Sequence, residues 1–117
     1  DKVFLLGNRN DISKLLSASD LFVLSSFAEG APLSSLEAQA NGLPCLLSNG
    51  VTKNIDISNN CYFFDPTDVN ELSSLMNKQF NRKDISFETR YNISYSIKNV
   101  QKYYVDMVKR FATKDKK

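Results

Sequence analysis

Two carboxylates, Glu29 and Glu37, stand with seven residues between them in the run Glu29-Gly30-Ala31-Pro32-Leu33-Ser34-Ser35-Leu36-Glu37. A carboxylate accepts hydrogen bonds from ligand hydroxyls and can take part in proton transfer. Proline at the first helical position and Gly42 just past the end predict a helix over 32–40, so Glu29 and Gly30 stand at its mouth. The first amides of a helix have no partner inside it, and together with the helix dipole they attract anions. Gly30 and Ala31 carry no side chain large enough to keep a ligand from the backbone. At about 100° per residue, Leu33, Leu36 and Ala40 define the inward face, and Glu37 falls about 40° from Leu33 on that face. A carboxylate buried there needs hydrogen-bond donors. Sugar or ribose hydroxyls would supply them. So would backbone amides, in which case Glu37 braces a neighbouring loop. Glu29 alone reads equally as a helix-dipole partner or an exposed loop acid; paired with Glu37 in one loop-helix unit, it reads as part of a ligand site.

The elements that must position this unit follow from hydropathy patterning. Val3-Phe4-Leu5-Leu6, Leu21-Phe22-Val23-Leu24, Pro44-Cys45-Leu46-Leu47 and Cys61-Tyr62-Phe63-Phe64 are short continuous apolar runs, the pattern of strands buried on both faces. Between them lie a short helix capped by Asn10 or Asp11 with Ile12, Leu15 and Leu16 at helical spacing, the helix over 32–40, and a polar loop over 49–60 with a helical turn near Lys53. Thr67 or Asp68 caps a further helix with Val69, Leu72, Leu75 and Met76 on one face. The last helix, capped by Ser94 or Ser96, carries Ile97, Val100, Tyr104, Met107, Val108 and Phe111 as an apolar stripe. Strands alternating with amphipathic helices predict an α/β fold, a Rossmann-like parallel sheet with helices on both faces. In such sheets ligands bind beyond the carboxyl ends of the strands. Three loops leave strand ends there, at 7–11, 25–32 and 48–53.

Composition narrows the chemistry. The 117 residues form one domain, 42% hydrophobic and 24% charged, with a mixed net charge of +2 that gives no basic face for nucleic acid. There is no histidine, and Cys45 and Cys61 lie in apolar runs as small buried thiols. A structural zinc site and a Ser-His-Asp or Cys-His triad are therefore excluded within these residues. No apolar stretch nears the roughly 20 residues needed to span a bilayer, and the pattern predicts no signal peptide within these residues. A Walker-type phosphate loop and a G-x-G-x-x-G fingerprint are both absent.

The run from Glu29 to Pro44 resembles the E-x7-E signature of the retaining glycosyltransferases of family 4, the "group 1" transferases. It matches in spacing, in the E-G-x-P start and in the L-E-A-x-A-x-G-x-P continuation. Val3-Phe4-Leu5-Leu6-Gly7, Ala18-Ser19-Asp20-Leu21-Phe22-Val23-Leu24-Ser25 and the stretch 91–104 are similar to other segments of the family. The resemblance implies a GT-B architecture, of which residues 1–117 would be a single partial domain: the later part of the C-terminal donor-binding domain, without the N-terminal acceptor domain. It implies that Glu29 lies beside the transferred sugar and the reacting centre, and that the Gly30, Ala31 and Leu33 amides contact sugar or diphosphate. Glu37 would bond the ribose hydroxyls, and Gly7 and Asn8 would meet the base. The implied donor is a nucleotide diphosphate sugar, read as a UDP-sugar, with no metal or other cofactor. The implied acceptor is a polysaccharide or a lipid-linked glycan, bound through the absent domain. The implied location is cytoplasmic, with any peripheral seat at the inner membrane face made by that domain. The isolated piece is expected to be inactive. Where the family often carries Gly-Gly after the third strand, this sequence has Asn49-Gly50-Val51-Thr52-Lys53, closer to the branch of bacterial capsular and exopolysaccharide transferases. The alternatives are another GT-B enzyme, such as a sugar-nucleotide epimerase, and a non-catalytic module that binds a nucleotide sugar or a partner.

Overall fold

The computed structural model describes residues 2–30, 32–82, 98, 101–103, 105–106 and 108–110. Helix α1 (Ile12–Ser17), strand β1 (Phe22–Leu24), helix α2 (Leu33–Ala40) and strand β2 (Cys45–Ser48) follow in order. A 3-10 turn at Lys53–Ile55, strand β3 (Cys61–Phe64) and helix α3 (Val69–Phe80) complete them. The strands form a parallel sheet in the order β1-β2-β3, with Phe22 opposite Cys45 and Cys45 opposite Cys61. Every residue of the central strand β2 is buried, which is why its sequence is a continuous apolar run rather than an alternating one. Helix α2 packs on β1 and β2, and α3 on β2 and β3. Leu36, Ala38, Leu43, Cys45, Leu47, Val51 and Ile55 form the core.

Local chemistry explains the boundaries. Gly42, at φ +73°, ends α2 in the left-handed conformation. Asp68 caps α3 by accepting from the Glu71 amide at 2.9 Å. Asp11 precedes α1 but does not cap it through its side chain; its carboxylate instead takes two 2.7 Å hydrogen bonds from Arg9, which holds it below the usual carboxylate range.

Three expectations are corrected. The run Val3-Phe4-Leu5-Leu6 forms no strand, and its side chains are exposed. Among the described residues no strand lies beside it, so its backbone has no ladder to join. In α3, Leu72, Leu75 and Met76 are half-buried, but Val69, the first helical residue, is exposed. Of the last helix, the described residues between 98 and 110 are helical. Val108 is exposed there, while Tyr103, outside the expected stripe, packs against the core. Ile97, Val100, Tyr104, Met107, Phe111 and the caps Ser94 and Ser96 lie outside the described residues.

Candidate functional site

Because the strands are parallel, the segments leaving β1 and β2 emerge at the same end of the sheet, where ligands of such folds bind. Here the two segments are fastened together. The Ser48 hydroxyl donates to the Ser26 carbonyl, and the Glu29 amide donates to the Gly50 carbonyl at 3.2 Å. Glu29 and Val51 form a parallel bridge, so the β1–β2 ladder resumes beyond the ends of both strands. The Asn49 amide bonds Phe64 at 2.8 Å, tying in the end of β3. A Cβ at Gly50 would collide with the Phe27 carbonyl; only glycine lets these two backbones come this close. The carboxylate of Glu29 is exposed, with the Ser26 hydroxyl donating to it at 3.3 Å.

The adjoining helix start is open. Pro32 precedes α2 in extended conformation, and no side chain caps the helix. A Cβ at Gly30 would meet nothing within 4 Å, so packing does not require glycine here and the space beside it is free. Ala31 lies outside the described residues.

Glu37 is exposed, which corrects its expected inward position. It does share a side of α2 with Leu33, but Leu33 is itself 56% exposed. The core face is formed by Ser35, Leu36, Ala38 and Gln39. Apolarity alone pointed to Leu33, yet the polar Ser35 and Gln39 are buried because their hydrogen bonds are met. Ser35 Oγ donates to the Pro32 carbonyl at 2.9 Å. Gln39 Nε2 donates to the Ile55 carbonyl at 3.0 Å, and its Oε1 accepts from the Ile57 and Ser58 amides at 3.0 and 3.2 Å. The buried brace is thus Gln39. Its place three residues after Leu36 was the available signal.

Glu29, Gly30, Leu33 and Glu37 therefore belong to one exposed loop-helix unit. Gly7 and Asn8 are exposed, and Asn8 lines a separate open hollow with Leu6, Arg9, Asn10 and Asp11. Lys53, carried by the same β2–β3 connection as Gly50, is exposed, its Nζ 5.9 Å from the centre of the Phe63 ring. Among the described residues no three Cys, Asp or Glu gather as metal ligands, and no helix is long and apolar enough to cross a membrane.

A parallel sheet with helices packed on it, and an acidic loop and an uncapped helix at its carboxyl end, defines a Rossmann-like α/β domain. The chain belongs to the family described as glycosyl transferases group 1, which matches residues 1–103. It is 33% identical over 118 aligned positions to UDP-Gal:alpha-D-GlcNAc-diphosphoundecaprenol alpha-1,3-galactosyltransferase of Escherichia coli, covering 92% of this chain and 30% of that protein. It is 38% identical to Protein CapJ of Staphylococcus aureus, over 70% of this chain and 22% of that protein. It is also 49% identical to N,N'-diacetylbacillosaminyl-diphospho-undecaprenol alpha-1,3-N-acetylgalactosaminyltransferase of Campylobacter jejuni, over 40% of this chain and 12% of that protein. The matches span less than a third of each relative's length. No solved structure matches.

Proposed function

We propose that this chain forms the donor half-site of a glycosyltransferase that moves a sugar from a nucleotide diphosphate sugar to a lipid-linked or polysaccharide acceptor, with retention of configuration. Family membership supports the reaction class, and the activity for which the Escherichia coli relative is named supports a uridine-linked donor and a lipid-linked acceptor. The observation that carries the site is Glu29 itself: its main chain is tied across two strand-end loops while its carboxylate stays exposed. A rigid backbone with an accessible acid suits a group that must oppose positive charge developing at a sugar's reacting carbon. In this reading the Gly30, Ala31 and Leu33 amides meet sugar or diphosphate, and the positive end of α2 offsets the departing diphosphate without a metal. The Glu37 carboxylate accepts from ribose hydroxyls, and Gly7 and Asn8 are assigned the base. The protein acts in the cytoplasm, where nucleotide sugars are supplied.

The test is release of nucleoside diphosphate by the full-length polypeptide with an acceptor present, for wild type and Glu29→Ala. A loss of about 10²-fold or more is expected. Unchanged release would remove Glu29 from the chemistry.

A further inference from the structure

Gln39 is 1% exposed, and its side-chain amide bonds three backbone groups: the Ile55 carbonyl and the Ile57 and Ser58 amides. These lie on the 3-10 turn and the irregular stretch after it, in the same connection whose start, at Gly50 and Val51, is fastened to Glu29. Backbone groups outside a helix or sheet have no ladder to satisfy them and need partners when buried. An apolar side chain of Gln39's size would fill the space but supply none of these three hydrogen bonds. We infer that Gln39 is a positioning residue for the donor site, locking the 50–58 connection against α2 so that this connection and the helix start meet the donor in one geometry. The inference rests on the donor-site reading of Glu29.

Two features make this more than packing. First, Gln39 sits on the glutamate-bearing helix, so one amide couples α2 to the connection carrying Gly50 and Lys53. Second, Asp56 accepts from the Asn60 amide at 3.3 Å and the Ser58 hydroxyl at 3.5 Å, bonds that stay within the segment, whereas those of Gln39 run from the segment back to the helix. The charged groups on this segment are Asp56 and the exposed Lys53; the thiols of Cys45 and Cys61 belong to the adjoining core.

The test is steady-state kinetics of the full-length polypeptide carrying Gln39→Met or Gln39→Glu, with Glu29→Ala alongside. Gln39→Met removes all three hydrogen bonds, and donor KM is expected to rise about tenfold with acceptor KM unchanged. In Gln39→Glu the ionised carboxylate opposes the Ile55 carbonyl, whereas the protonated acid can donate to it as the amide does. Donor KM of this variant is therefore expected to fall back toward wild type from about pH 8 to about pH 6, a trend absent from wild type. If both variants lose thermal stability but keep wild-type donor KM across this range, Gln39 is a brace of the fold alone and the inference is overturned. Should Gln39→Met fail to fold, the pH comparison in Gln39→Glu decides by itself. Retained activity in Glu29→Ala would sink the donor-site reading instead, so the two failures are distinguishable.

Discussion

The amide of Glu29 donates to the carbonyl of Gly50 at 3.2 Å, continuing the β1–β2 ladder past the ends of both strands and holding the acid at the mouth of α2. The contact depends on Gly50 having no side chain, since any Cβ would strike the Phe27 carbonyl. Gly50→Ala is therefore expected to push the two loops apart, lowering stability by about 1–3 kcal/mol and raising donor KM. Denaturant midpoints together with donor kinetics check this; a variant with wild-type values in both would mean that the loops tolerate separation.

Glu37 is exposed on α2, so removing it opens no cavity and strands no buried group. Glu37→Ala should leave stability within about 0.5 kcal/mol of wild type while weakening donor binding. Thermal unfolding and a donor titration on the same samples separate the two effects. A loss of several kcal/mol without a change in affinity would restore the bracing role now given to Gln39.

Asp65, Asp68 and Glu71 build the entry to α3. Asp68 accepts from the Glu71 amide, Glu71 Oε2 accepts from the Asp65 amide at 2.7 Å, and Asp65 Oδ1 accepts from the Thr67 hydroxyl at 2.6 Å and the Thr67 amide at 2.8 Å. The Thr67 hydroxyl, then its amide, hold the Asp65 carboxyl below the usual carboxylate range. A depressed folded value means that this stabilisation is present above the unfolded value of about 3.9 and is lost as pH falls through the folded one. Carboxyl titration followed by NMR should show Asp65 ionising below that value. Asp68→Ala should cost about 1 kcal/mol, read by chemical denaturation.

Cys45 and Cys61 are register partners on β2 and β3. The hydrogen bond with Cys45, and then burial, push the Cys61 thiol well up, so it stays protonated in the folded protein at neutral pH. Its alkylation by iodoacetamide should be at least about 10²-fold slower in the native than in the unfolded protein, because the thiolate is the nucleophile. The unfolded thiol ionises near pH 8.5, so stability should decline as pH rises above about that value. Fast native labelling of Cys61 would show an accessible thiolate and contradict this burial.

Much of the fold was legible because each signal was local. The apolar runs at β1, β2 and β3, the cap at Asp68, Gly42 beyond α2 and the helical turn at Lys53 all depend on residues within a few positions of one another. The loop-helix unit holding Glu29 and Glu37 was equally legible, since proline, glycine and carboxylates mark a helix mouth by type. Which side of α2 faces the core was not. Leu33 is exposed and Gln39 buried because three backbone groups from a segment 16 to 19 residues away meet the Gln39 amide, and helical spacing carries no record of such partners.

The sequence by itself determined the acidic helix mouth, the parallel α/β pattern and the family, because residue type and short spacing suffice for each. Tertiary structure alone decided that Val3-Phe4-Leu5-Leu6 joins no strand among the described residues, that Glu29 is anchored through Gly50 rather than by its side chain, and that Gln39, not Glu37, is the buried brace. Each of these turns on a partner distant in sequence: a strand pairs, a backbone approaches or a buried amide is satisfied only when the fold brings that partner into contact.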